Sequence, residues 1–242
     1  MPTDHPVHLG CVKPVTRDRI SPALTSRAAL ARLARLAAVL VLLVAGCGIV
    51  APRSMDRQGA DSFEDDIRTA RTLTEQFWTQ HFQQLGETYR PIADFIPYSG
   101  TSGPSCGQEQ SVPNNAFYCP IGHFIAYDQD WMKSLWSEMG DGSVYVIIPH
   151  EFGHAVQAQL QTSFRLNVQM ELQADCYAGG TLSALVGSGA LTAEAGDEDE
   201  LLLSLEAAGD PTDNWLDPAA HGTAEQRQSS FATGYRDGVD AC

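Results

Sequence analysis

The chain has 242 residues, with 15 basic and 30 acidic side chains and a formal net charge of −15. An apolar content of 43% with 19% charged residues excludes a disordered polymer. The acidic balance excludes a phosphate-backbone binder, so no nucleic-acid partner is expected.

Residues 1–46 read as an export signal. Arg27, Arg32 and Arg35 precede and enter an apolar run over 36–45, which leads into the small residues of Val44-Ala45-Gly46-Cys47. The run is broken by Gly46 and Gly48 and stopped by Pro52, short of the ~20 residues that cross a bilayer. Val-Ala-Gly-Cys resembles the lipobox of bacterial lipoproteins, which implies a lipid-modified (palmitate-type) Cys47 at the mature N-terminus. The expected location is the outer face of the cytoplasmic membrane, reached through that lipid alone; a secreted chain or a short N-terminal helical anchor is the alternative. Six bases and two acids fall within 1–46, so the mature part carries nine bases and twenty-eight acids, a net −19.

Residues 47–61 are polar and aperiodic, as suits a tether, and 62–242 form one domain. Ser62 opens an amphipathic helix in which Ile67, Ala70, Leu73, Phe77, Phe82 and Leu85 recur at helical spacing as far as Gly86. The stretch 91–120 is rich in Pro, Gly, Ser and Asn and ends in two β-like runs, 116–119 and 123–127, which predict a hairpin. A short helix follows over 131–139, and Ser143 is placed to cap a helix over 144–161. Residues 166–186 form another helix, 194–200 (EAGDEDE) an acidic solvated loop, and Thr223-Ala-Glu-Gln226 a capping box for a last helix to about Tyr235.

Once Cys11 goes with the signal and Cys47 takes lipid, Cys106, Cys119, Cys176 and Cys242 remain. An even number in an exported domain predicts two disulfides, with three connectivities open. Cys106–Cys119, around the loop, and Cys176–Cys242, tying the last residue to a helix, are favoured.

The chemistry concentrates in His150-Glu151-Phe152-Gly153-His154. Four apart on a helix, both imidazoles reach one cation, while Glu151 projects about 100° away towards a water on that cation. Pro149 either kinks this helix or starts it. Catalytic zinc requires a third protein ligand. Glu171-Leu-Gln-Ala-Asp175 supplies two carboxylates on one helical face, suited to one ligand and one group that fixes a ligand imidazole. Cys176 points away from that face.

HEFGH, ELQADCYAG, HGTAEQR, and NAFYCP with its following YD resemble the neutral zinc metallopeptidase family of bacteria. The resemblance covers roughly 63–242. It implies a zincin-like α+β fold, predominantly helical, with a small β-hairpin or sheet beside the active-site helix. It also implies one zinc on His150, His154 and Glu171, with Glu151 as general base and acid and Asp175 beside the metal. Pro149 departs from the small residue expected before the first His. His221 and Tyr177 are candidate donors to the transition state, and His123 a lesser one. The strand 123–127 could offer its edge to an extended peptide.

The expected function is peptide-bond hydrolysis in a peptide or protein substrate by an exported, lipid-anchored endopeptidase. The alternative is a catalytically inactive relative kept as a binding or scaffolding lipoprotein. A third reading, a deformylase-like hydrolase, requires Cys119 as a metal ligand.

Overall fold

The computed structural model describes residues 62–242. The signal, Cys47 and the tether lie outside the described residues. Six α-helices and three strands follow in chain order: α1 (Phe63–Gln84), β1 (Asp94–Tyr98), β2 (Ala116–Cys119), β3 (Phe124–Asp128), α2 (Gln129–Met139), α3 (Gly142–Gln159), α4 (Asn167–Gly187), α5 (Asp197–Ala207) and α6 (Ala224–Asp237). A 3-10 turn (Val239–Ala241) ends the chain. The fold is α+β, predominantly helical and zincin-like. Among the described residues no helix is long and apolar enough to cross a membrane.

Helix α1 begins as its sequence predicts. The Ser62 hydroxyl accepts from the Asp65 N–H, and the Asp65 carboxylate accepts from the Ser62 N–H in return. Gly86, at φ +78°, then takes the left-handed position past its C-terminus, where a side chain is penalised.

The sheet has order β1-β3-β2, with β1 parallel and β2 antiparallel to the central β3. Strand β1 escapes the sequence pattern because it lies in the Pro/Gly-rich stretch and contains Pro97, which an edge strand tolerates. With β1 on one side and β2 on the other, β3 has no free edge, so the expectation that 123–127 receives a peptide is corrected. Asp128 ties the sheet to its surroundings. It caps α2 by accepting from the Asp130 and Trp131 N–H groups, and it holds the N–H groups of Gly100 and Asn114 in the long loop.

Three local expectations change. Ser143 lies within α3, whose N-cap is Asp141. Pro149 is interior to α3, which neither starts nor ends there; tertiary burial outweighs the N–H that proline withdraws. Acidic residues Asp197 to Glu200 form the first turn of α5 rather than a loop, their charges facing the positive end of its dipole.

Helix α3 is the structural centre. Thirteen of its eighteen residues are buried, so it is covered on nearly every side. Val144, Ile148, Phe152 and Val156 pack with Ile67, Trp78, Ile125 and Met132, while Val146 enters a second cluster with Ala178, Leu182, Leu205 and Phe231. Both favoured disulfides form, Cys106–Cys119 and Cys176–Cys242, with sequence separations of 13 and 66. By loop entropy they constrain the unfolded chain by roughly 3 and roughly 4 kcal/mol.

Helices α4 and α6 touch backbone to backbone. A Cβ on Gly234 would lie 1.8 Å from the Cys176 carbonyl oxygen, and one on Gly179 would lie 2.0 Å from that of Phe231. Gly234→Ala is therefore expected to destabilise the protein by at least about 2 kcal/mol, a fall in Tm of roughly 4–8 °C. Gly187→Ala, with nothing within 4 Å of the added atom, leaves Tm unchanged or slightly raised in the same thermal melt.

Candidate metal centre

Glycine also sets how α3 meets α4. A Cβ on Gly153 would stand 3.0 Å from the Cα of Ala174, so the bare backbone of the HEFGH turn lets the two helices close up. That approach brings His150 and His154 against Glu171. The His150 and His154 Nε2 atoms are 3.1 Å apart, and Glu171 Oε2 lies 3.2 Å from the first and 3.6 Å from the second. His150, Glu171 and Asp175 are buried, and His154 is partly so.

The partners of the other ring nitrogens fix which nitrogen of each imidazole carries the hydrogen in the neutral form. His150 Nδ1 lies 2.8 Å from Asp175 Oδ1, a carboxylate, and so donates. His154 Nδ1 lies 2.9 Å from Gln157 Oε1 and donates there. In the neutral form each Nε2 then carries a lone pair, and both lone pairs converge with a Glu171 oxygen on one point. A tetrahedral ion with bonds of about 2.0–2.1 Å spaces its ligands about 3.3–3.4 Å apart, and the observed triangle falls around that value. Donor chemistry and spacing fit zinc.

Asp175 is fully buried and paired beyond His150. The Arg227 guanidinium donates to it through Nε (2.9 Å) and Nη2 (2.8 Å), and through Nη1 to the Ala208 carbonyl. Although burial opposes charge on Asp175, Arg227 and His150 hold its carboxyl below the usual carboxylate range. His150 is likewise buried, yet the charge and hydrogen bond of Asp175, with help from Glu171, push it up to about 10. Hydrogen bonds from His150 and His154 overcome the burial of Glu171 and lower its pKa. A proton and a metal ion therefore compete for the same buried pocket of electron density.

Glu151 differs from its neighbours. Burial dominates and raises its pKa, against the charges of His154 and His150 and the Tyr118 N–H on β2. Its Oε2 atom is buried without a hydrogen-bond partner among the described residues.

A family model described as "Putative neutral zinc metallopeptidase" matches residues 50–242. The chain belongs to this family. It is 35% identical over 193 residues to the uncharacterized protein YpfJ of Escherichia coli (strain K12), covering 69% of this chain and 66% of that one. The uncharacterized proteins Mb2605 of Mycobacterium bovis and Rv2575 of Mycobacterium tuberculosis are 31% identical over 172 residues, with 58% of each chain covered. This chain thus spans two thirds or less of the length of these relatives. No solved structure matches.

Other candidates fall elsewhere. Tyr177 packs in the core against Trp78 at a ring distance of 5.2 Å, and burial raises its pKa. His123 adopts φ +52° at the hairpin turn, where Tyr118 Oη donates to its Nδ1 and its Nε2 donates to the Arg90 carbonyl. Both ring nitrogens are thereby spent on holding the turn. The half-exposed His221 ring faces Asp210 at 3.6 Å, outside the cluster. Cys119 is oxidised with Cys106, which removes the deformylase-like reading.

Arg227 and Gln157 go unassigned in the sequence reading, although Arg227 ends the HGTAEQR motif and Gln157 lies three residues past His154 on the same helical face. Glu171→Ala is expected to abolish zinc binding by the metal-free protein, measured by titration against a chromophoric chelator. Asp175→Ala should weaken it by about 10–100-fold. The opposite order would exchange the roles of the two carboxylates.

Proposed function

We propose that the protein is an exported, lipid-anchored zinc endopeptidase. The observation that carries this reading is Glu151. Its buried carboxylate has a raised pKa and an unpartnered oxygen, and it stands beside three convergent metal-ligand atoms. His150, His154 and Glu171 would hold the ion, with Asp175 and Gln157 fixing the imidazoles. A zinc ion there supplies a Lewis acid that polarises a carbonyl and lowers the pKa of water to about 7.

Glu151 does the proton work. Burial gives its carboxylate more affinity for a proton than a solvated glutamate has, so it accepts one from the attacking water and holds it close to the reacting centre. As the peptide C–N bond breaks, the same group passes that proton to the departing amine. The cleaved bond thus receives water's hydroxyl on one side and its two hydrogens are accounted for by product acid and amine. Strand β2 supports a peptide substrate, because it is an edge strand whose Tyr118 N–H is turned to Glu151. An extended chain lying along that edge would present its carbonyls beside the general base.

Two disulfides among the described residues support export, since such bonds persist in oxidising compartments. The N-terminal signal pattern and Cys47 supply the proposed anchor. An inactive scaffold would retain the zinc triangle, so activity rather than metal content separates the two readings. Wild-type protein that is fully zinc-loaded yet cleaves no unstructured protein or peptide-library member would favour the scaffold.

In the full-length protein, Glu151→Gln should leave zinc stoichiometry at one per chain and reduce cleavage of an unstructured protein by at least about 10²–10⁴-fold. Equal cleavage by the variant and wild type would remove Glu151 from the mechanism. Metabolic labelling with palmitate should mark the wild-type chain and fail to mark Cys47→Ser; equal labelling would place the lipid elsewhere.

A further inference from the structure

Outside the ligand triangle, Gln157 opens a polar chain whose further members, Gln173 and Cys242, have no role in the chemistry described above. Gln157 is buried and hydrogen-bonded at both ends of its amide. Its Oε1 accepts from His154 Nδ1 at 2.9 Å, while its Nε2 donates to the Met170 carbonyl (2.7 Å) and to Gln173 Oε1 (3.2 Å). Gln173 Nε2 in turn donates to the backbone oxygen of Cys242 at 3.1 Å. Cys242 is fastened by its disulfide to Cys176, next to Asp175 on α4.

We propose that Gln157 is the positioning residue for His154, and that the relay Gln157–Gln173–Cys242 locks that imidazole in the tautomer whose Nε2 lone pair faces the metal. This rests on the zinc reading of His150, His154 and Glu171.

Direction in the relay is set by groups that can only accept. The Met170 carbonyl and the Cys242 oxygen offer no hydrogen, so each glutamine must turn its NH2 towards them. Once Gln173 donates to Cys242, its Oε1 is left to face Gln157; once Gln157 donates to Met170 and Gln173, its Oε1 is left to face His154. His154 can satisfy that oxygen only as the Nδ1–H form. Flipping either amide would set donor against donor, at the buried Gln157 or the partly buried Gln173, and leave both groups unsatisfied. The two ligand imidazoles thus receive different supports. Asp175 with Arg227 holds His150 by charge, whereas His154 is held by two neutral amides that lead to the Cys242 oxygen.

The test uses the full-length chain. Gln157→Leu, similar in size but unable to accept, should weaken zinc binding by about 10–100-fold in chelator competition. Gln157→Glu keeps an acceptor for His154 but sets an oxygen against the Met170 carbonyl and Gln173 Oε1, so it should keep the Nδ1–H tautomer while recovering only part of the zinc affinity. Gln173→Leu touches no ligand and should weaken binding in the same direction by less. In metal-free protein, long-range 15N–1H spectra of the imidazoles should show His154 as the Nδ1–H tautomer in wild type and as mixed tautomers in Gln157→Leu. Wild-type zinc affinity together with an unchanged tautomer in Gln157→Leu would overturn the proposal. If Gln157→Leu fails to fold, Gln173→Leu decides by the same two readouts. Undiminished zinc binding by His150→Ala would instead overturn the metal site itself, while the tautomer spectra still judge Gln157.

Discussion

Two imidazole nitrogens 3.1 Å apart, each presenting a lone pair, form a contact that repels unless something positive lies between them. Glu171 adds a carboxylate oxygen to the same point. The buried groups are also unbalanced in charge. Asp175 and Arg227 cancel, but Glu151 and Glu171 leave two buried carboxylates without a fixed cation of their own, which a divalent ion would neutralise. The competing solution is a proton on His150, favoured by Asp175 and a pKa near 10. Geometry and donor chemistry therefore both suit a cation at this point.

Maintaining such a contact demands rigid helices, and small residues supply the closeness. Gly153 lets α3 settle on Ala174 of α4, while Gly179 and Gly234 let α4 settle on α6. The second crossing is what brings Arg227 within reach of Asp175. Each close approach thus serves one link of the chain from ligand to support: α3 offers the imidazoles, α4 the carboxylates, and α6 the guanidinium that keeps Asp175 ionised. Burial of α3 between two apolar clusters prevents it from relaxing away from the repulsion.

The parts of this arrangement legible in the sequence are those with a short-range periodic signature. HEFGH and ELQAD place five groups by helical geometry, and the favoured disulfides follow from the parity and placement of the cysteines. Capping boxes at Ser62 and Thr223 mark helix starts because their hydrogen bonds span only three residues. What escapes is long-range or runs against local preference. Arg227 lies 52 residues from Asp175, so no local pattern links them. Strand β1 hides behind Pro97, and α3 continues through Pro149 because its burial, which no local propensity reports, dominates. Asp197 to Glu200 look like a solvated loop by composition, yet their charges suit the first turn of a helix.

The supports of the two imidazoles also differ in what could disturb them. The Asp175–Arg227 pair is internal to α4 and α6 and depends on packing alone. The His154 support passes through Gln157 and Gln173 to Cys242, whose position is set by the bond to Cys176. Such bonds persist chiefly where the surroundings are oxidising. Without that bond the Cys242 oxygen would lose its fastening, while the Met170 carbonyl would still turn the Gln157 amide towards His154. The disulfide that ties Cys242 to α4 thus also holds the outer end of the relay behind His154.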